Sequence, residues 1–174
     1  MDIRPATDAD LPEMQAIYAH HVLHGTGSFE EVPPSVETLA ERHRRIVGAG
    51  WAWLVAADDT GILGYGYFNQ FRERSAYRFS AEDSVYVRDD VRGQGVGKAL
   101  VAELIQHAER AGFRQMFAVI GDSDNVGSIG MHSSLGFIKV GTLRSVGFKF
   151  GRWLDSVTMQ RSLGSGDRDP PEES

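Results

Sequence analysis

The chain has 174 residues, 41% of them hydrophobic and nine of them Phe, enough for one domain with a sizeable core. Its net charge of -6, without a Lys/Arg run longer than a pair, lacks the electrostatic footprint of a duplex nucleic-acid binder. There is no cysteine, which excludes disulfides, thiolate metal sites and a cysteine nucleophile.

Met1-Asp2-Ile3-Arg4 lacks the apolar core of a signal peptide, and no apolar run approaches the roughly 20 residues of a membrane span. A cytoplasmic protein with no nucleic-acid or membrane partner is therefore expected. After a short apolar start, Thr7 and Asp10 have capping-box spacing, and Leu11, Met14, Ile17, Tyr18 and Val22 recur at helical spacing. A helix is predicted from about Asp8 to His21. Gly25, Gly27, Pro33 and Pro34 break the pattern and leave a glycine-bearing loop around Phe29. Ser35 then caps a second helix with Leu39 and Ile46 inward.

From Trp51 the period changes. Trp51–Ala57 and Ile62–Phe71 are rich in aromatic and β-branched residues, and Asp58-Asp59-Thr60-Gly61 suits the turn of an antiparallel hairpin. Phe79–Arg88 is a further strand, followed by the glycine-rich Arg92–Gly97 and a helix with Leu100, Val101, Leu104, Ile105 and Ala108 on one face, ended by Gly112. Met116–Ile120, wholly apolar, reads as a strand covered on both faces, and Asn125–Leu135 as a helix stopped by Gly136. Strands over Phe137–Val146 and Trp153–Gln160 follow. The folded domain is expected to span residues 1–163, and Gly164–Ser174, too polar to bury, to form a disordered acidic tail.

Arg92-Gly93-Gln94-Gly95-Val96-Gly97-Lys98 stands between a strand and a helix. Glycines there let backbone amides approach an anion, and a helix N-terminus adds unpaired N–H groups and partial positive charge, so a pyrophosphate suits the turn. An ordinary glycine-rich turn is the alternative. The dinucleotide fingerprint needs an early βαβ unit that is missing. A P-loop needs Gly where Arg92 stands and Ser or Thr where Ala99 stands.

These residues resemble the GNAT family of N-acetyltransferases, whose central signature is Arg/Gln-x-x-Gly-x-Gly/Ala after a strand. The resemblance runs from Ile3 to Leu163 and includes Ile3-Arg4-Pro5-Ala6, Asn125 and Leu135-Gly136-Phe137. It is most similar to the phosphinothricin and methionine sulfoximine branch. The matches there are Arg74 with Ala76-Tyr77, Glu82-Asp83-Ser84-Val85-Tyr86-Val87, His132, and the run Gly147-Phe148-Lys149-Phe150-Gly151-Arg152-Trp153-Leu154-Asp155. The resemblance implies an α/β (α+β) fold: a mixed, mostly antiparallel sheet of about seven strands, splayed after strand 4, with about four helices. It implies acetyl-CoA as co-substrate, no metal, and a homodimer paired through sheets and C-terminal strands.

In a strand, Glu82, Ser84 and Tyr86 share one face and Asp83, Val85 and Val87 the other. By resemblance, the thioester arm lies along the backbone of Val85, Tyr86 and Val87, with the Val85 N–H toward the thioester oxygen and Arg92, Gly93, Gln94, Gly95, Val96, Gly97 and Lys98 on the diphosphate. Glu82 is implied as general base; a solvated strand-edge carboxylate is its bland alternative. His132 lies on the apolar stripe of its helix. It is either a satisfied core histidine or a catalytic group whose role as acid, base helper or substrate ligand stays open. Asn125 fits the pantetheine arm or a helix cap, and Ser133 that arm or a plain helical serine.

An amino acid presents a carboxylate beside its amine, so the substrate pocket needs an anion anchor and apolar walls. Arg72, Arg74, Tyr77 and Arg78 lie just ahead of Glu82, and the resemblance favours Arg74 and Tyr77 as binders, with Arg72 and Tyr86 beside them, Phe29 closing the pocket and Val146 and Gly147 on the other wall. A solvated surface charge is the alternative for any single Arg, and a core or lid residue for Phe29. His20, His21, His24 and His43 invite a metal reading, but no carboxylate completes a ligand set, and exposed helix histidines account for them. Three functions compete: acetylation of a small amino acid such as phosphinothricin, methionine sulfoximine or methionine sulfone; acetylation of a protein N-terminus or polyamine; and a non-catalytic acyl-CoA-binding module. The Arg cluster speaks for the first, and the presence of both Glu82 and His132 speaks against the third.

Overall fold

The computed structural model describes residues 1–172. Seven strands form one sheet in the order β1-β2-β3-β4-β5-β7-β6. They are β1 (Asp2–Pro5), β2 (Trp53–Asp58), β3 (Gly61–Gln70), β4 (Ser80–Val87), β5 (Gln115–Gly121), β6 (Ile138–Lys149) and β7 (Arg152–Ser162). Four α-helices join them: α1 (Leu11–His24), α2 (Val36–Gly48), α3 (Val96–Arg110) and α4 (Val126–Ser134). Only β4 and β5 pair in parallel; every other neighbour is antiparallel. This is the mixed sheet with four helices that the resemblance implied.

The helices form where apolar residues recur on one stripe. In α1, Leu11, Met14, Ile17, Tyr18 and Val22 are buried, and in α3, Leu100, Val101, Leu104, Ile105 and Ala108. Ser35 Oγ accepts the Thr38 N–H at 3.1 Å and starts α2. The two faces of the sheet carry separate cores. Trp53, Val55 and Tyr65 meet α1 and α2, whereas Leu54, Ala56, Phe68 and Met116 meet α3. This two-sided burial explains why Trp53–Ala56 is a continuous apolar run rather than an alternating one.

His43 corrects the expectation of exposed helix histidines. Four residues after Leu39 and three before Ile46, it falls on the buried stripe of α2, where its ring packs edge-on against Trp53 at 5.4 Å. Residues 164–170 fold back on Arg114, whose guanidinium donates to Ser165 Oγ, Gly166 O, Asp169 and Pro170 O. A planar group with five donors can gather a polar segment that has no large apolar side chain to bury. The last two residues of the expected tail lie outside the described residues.

The sheet opens at its centre. β4 pairs with β5 only from Ser80↔Gln115 to Asp83↔Ala118, while its pairing with β3 continues to Gly64↔Val87. Glycines on β3 bring α3 hard against this region: a Cβ on Gly64 would stand 2.9 Å from Tyr86 O and 3.2 Å from Val96 Cγ1. Gly64→Ala must therefore push backbone or helix aside, at a cost of about 1–3 kcal/mol. Urea unfolding should show a lower midpoint at unchanged slope.

Candidate active site

The turn before α3 is built by two left-handed glycines, Gly93 (φ 76) and Gly95 (φ 84). Side-chain-bearing residues adopt this backbone reluctantly, and alternating it with ordinary conformers turns successive N–H groups into one concavity. The first helical bond runs from Ala99 N to Gly95 O, so the N–H groups of Val96, Gly97 and Lys98 have no acceptor within the helix. With the helix dipole behind them and Lys98 beside them, they form an anion cradle.

That cradle is one end of a groove of about 740 Å³, lined also by Val85, Tyr86 and Val87 of β4, Gly121 at the end of β5 and Asp122 after it, Asn125, and His132. Backbone groups on a strand alternate sides. Arg88 N–H bonds to Leu63 O of β3, which turns Val85 and Val87 toward the side that β5 has left. The Val87 carbonyl accepts from His21 Nε2 at 2.8 Å. The Val85 N–H faces the opening, where a thioester oxygen can accept it.

His132 sits at the apex of the opening, beside the last paired residue of β4. Its Nε2 lies 2.9 Å from Asp83 Oδ2 and its Nδ1 2.8 Å from Ser128 O. Both partners are acceptors, so the ring satisfies them best by donating from both nitrogens, as an imidazolium. Burial works against that charge, but the hydrogen bond and attraction of Asp83 outweigh it and raise the His132 pKa. With no free lone pair, such a ring is no general base.

Glu82 lies on the opposite face of β4. Burial, aided by the negative charge of Asp83 and opposed by Arg72, pushes its pKa up to about 7. Its cross-strand neighbour Phe117 stacks on Phe71 at 4.2 Å, and the Arg72 guanidinium lies 4.7 Å over that second ring. A carboxyl poised near neutrality, flanked by aromatic rings and a cation, suits proton abstraction.

The profile described as "Acetyltransferase (GNAT) domain" matches residues 3–158. The chain belongs to the GNAT family. It is 51% identical to the phosphinothricin N-acetyltransferase of Alcaligenes faecalis over 98% of this chain and 86% of that protein. With the L-methionine sulfoximine/L-methionine sulfone acetyltransferase of Pseudomonas aeruginosa it shares 41% identity over 92% and 94%. Its fold is similar to that of a phosphinothricin acetyltransferase from Sinorhizobium meliloti solved with acetyl-CoA, with a TM-score of 0.95, 45% identity, and coverage of 99% and 93%. As a GNAT enzyme it is an acetyl-CoA-dependent N-acetyltransferase, and the cradle and open strand suit that co-substrate.

Within this GNAT site, Arg92, Gly93, Gly95, Val96, Gly97, Lys98, Val85, Tyr86, Val87, Asn125 and His132 come together around one groove. Gln94 and Ser133 are exposed and outside its lining; Ser128, one turn earlier on α4, is the serine that faces it. Asn125 realises the cap alternative, accepting the Ser128 N–H at 3.3 Å while still lining the groove. Arg74 and Tyr77 stand on an exposed turn after β3, where Tyr77 meets the edge of Phe71 at 6.1 Å. Phe29 touches Gly147, and Val146 beside it is exposed.

Sequence reasoning missed Asp83 and His21. Asp83 carries a signal in hindsight: a lone carboxylate on the face that turns Val85 and Val87 toward α3. His21 is not an exposed helix histidine, because its ring closes the groove and accepts from Arg92 Nη2 at 3.5 Å as well as binding Val87. The ion pair makes a titration prediction. In the wild type the His132 ring should titrate above the ordinary 6.5, and in Asp83→Asn below it, because burial is then unopposed. Nitrogen-15 NMR of the imidazole checks the direction.

Proposed function

We propose that this enzyme acetylates the α-amine of a small amino-acid-like substrate, of the class of phosphinothricin, methionine sulfoximine and methionine sulfone, with Glu82 as general base. The observation that carries the reading is Glu82 itself, a carboxyl near pH 7 beside Arg72 in a chain 51% identical to a phosphinothricin N-acetyltransferase. Arg72 and Arg74 supply the anion anchor for the substrate carboxylate, and Phe29, Tyr77, Tyr86, Val146 and Gly147 its apolar surroundings. A protein N-terminus or polyamine offers no such carboxylate beside its amine, and a cofactor-sensing module needs no tuned base.

Acetyl-CoA supplies an electrophilic thioester carbonyl and a thiolate leaving group. Gly93, Gly95 and the amides opening α3 hold its diphosphate, with Lys98 and Arg92 beside them; Asn125 lies along the pantetheine path. The Val85 N–H stabilises negative charge that develops on the thioester oxygen. Glu82 accepts the proton of the attacking amine, directly or through a water. Because Glu82 and His132 are on opposite faces of β4, they serve opposite sides of the reaction. The His132 imidazolium stabilises negative charge on the cofactor side.

The enzyme is proposed to be a cytoplasmic homodimer. β6 is a 12-residue edge strand with an unpaired outer side, and Ile138 (66% exposed), Leu143 (61%) and, on β7, Trp153 (64%) leave apolar surface uncovered. A second copy offers the same edge and the same apolar residues. Leu143→Glu should sediment as a monomer; a variant that stays dimeric would place the interface elsewhere.

Thiol release from acetyl-CoA with a panel of amino acids and amines tests the substrate class. Glu82→Gln should lower kcat by roughly 10²–10⁴-fold with little change in acetyl-CoA affinity. Equal turnover would remove Glu82 from the base role. Since the base works deprotonated, kcat/KM of the wild type should climb with pH through an inflection near the Glu82 pKa of about 7, and the variant should lose that limb. The same shift has a sign in stability. Raised from 4.5 in the unfolded chain, Glu82 favours folding at low pH, and this contribution is lost as pH rises through about 7. Melting temperatures should therefore move in favour of Glu82→Gln between pH 5 and 8.

A further inference from the structure

The run Gly147–Asp155 matches the family, yet none of its charged residues belongs to the groove or the Glu82 face described so far. Phe150 (φ 52) and Gly151 (φ 73) form a tight two-residue turn that sets Lys149 opposite Arg152. Directly opposed residues of antiparallel strands share a face; Lys149 reaches the segment between α1 and α2 directly, and Arg152 reaches it through Asp122.

Lys149 is 3% exposed, and its Nζ donates to Gly25 O at 2.9 Å and to Ser28 O at 2.8 Å. Its remaining contact is the Phe150 ring, 5.0 Å away. Arg152 Nη2 holds Asp122 Oδ2 at 2.6 Å, and that same oxygen accepts from Thr26 Oγ1 at 2.9 Å. Phe29 is wedged between two glycines: a Cβ on Gly147 would come within 2.6 Å of its ring, and one on Gly121 within 2.9 Å. The hairpin thus grips Gly25, Ser28 and Phe29 directly and Thr26 through Asp122.

The gripped segment has two sides. Gly25, Thr26 and Gly27 line the groove, while Ser28 bonds the Tyr18 hydroxyl at 2.9 Å and Phe29, 40% exposed, stands beside Gly147. Two glycines in three residues give this loop little stiffness of its own. A buried ammonium bridging two carbonyls supplies it, and a buried cation is tolerated only because those carbonyls satisfy it.

We propose that Lys149 is a positioning residue for the amine substrate, fixing the Gly25–Phe29 loop so that Phe29 forms a set wall of the acceptor pocket. The proposal rests on the small-amine reading above. It assigns Lys149 no contact with either reactant. Removing its charge leaves two carbonyls unpaired and frees the loop, so the acceptor pocket loses shape while the cradle at Gly93–Lys98, on another element, keeps its own.

The test uses the full-length enzyme with two variants that disturb the loop from different contacts. Lys149→Met removes the ammonium, and Gly147→Ala drives a methyl group into Phe29 with Lys149 in place, so a folding failure of the first leaves the second informative. Hydrogen exchange at residues 25–29, KM and kcat for phosphinothricin and methionine sulfoximine, and KM for acetyl-CoA are measured, with Lys149→Arg as the conservative control. Expected are faster exchange in Lys149→Met, a roughly tenfold rise in amine KM with an altered preference between the two amines in both variants, and a clearly smaller rise in acetyl-CoA KM, because Gly25–Gly27 also line the groove while the cradle at Gly93–Lys98 is untouched. Partial recovery in Lys149→Arg would support the role. Unchanged exchange, unchanged amine KM, or an equal rise in amine and acetyl-CoA KM would overturn it. A wild type that turns over neither amine would instead sink the substrate reading, a result visible before any variant is made.

Discussion

Hydrogen bonding between β4 and β5 stops at Asp83 and Ala118, although both strands run on for several residues. A sheet opened in its middle loses ladder bonds and packing at its most central place, and the rest of the molecule is arranged to hold it open. β3 keeps its pairing to Val87, β7 keeps its pairing to Gly121, and each half is thereby anchored on its far side. α3 backs the β4 half so closely that Gly64, Gly66 and Gly97 each lack room for a larger side chain. His21 satisfies the Val87 carbonyl, and the Asp83–His132 pair fills the apex. What stays open is a strip of backbone with donors aimed at a ligand.

The electrostatics follow from the same place. Asp83 is buried at the apex, and its negative charge acts through both faces of β4. On its own face it draws a proton onto His132; on the other it makes ionisation of Glu82 harder, adding to burial. One carboxylate therefore raises the pKa of two neighbours with opposite consequences: it favours the charged form of His132 on the groove side and the neutral form of Glu82 on the other face. Alternation along a strand keeps the two from neutralising each other. Arg72 opposes the upward shift of Glu82 and keeps it within reach of physiological pH.

Much of this was legible in the sequence because it rests on local rules. Helical stripes, the Ser35 cap, the Asp58–Gly61 turn and the glycine turn at Gly93–Gly97 are specified within a few residues each, and the structure places them within a few residues of expectation. The family resemblance carried the mixed sheet and its splay, which no local pattern encodes; the strand order came only with the structure. What periodicity could not give was partnership across distance. Asp83 and His132 are 49 residues apart, His21 and Val87 66, and Lys149 and Gly25 124. Ser133 follows His132 by one residue and so points about 100° away around α4, whereas Ser128, four residues before His132, shares its face. His43 was misplaced for a different reason: its polarity was weighed above its position on the stripe.

On the proposed reading, the two substrates are held by different physics. The cofactor end is built on close packing, where glycines let α3 press against β3 and β4 and the free amides of a helix point outward. Such a site is rigid because its parts belong to the apolar core. The acceptor end rests on polar contacts between a loop and a distant hairpin: Lys149 to two carbonyls, Arg152 to Asp122, Asp122 to Thr26. Changes there leave the core untouched. A scaffold divided in this way can keep one invariant donor while the acceptor pocket is reshaped by substitutions in a single loop, because loops tolerate change that core elements do not.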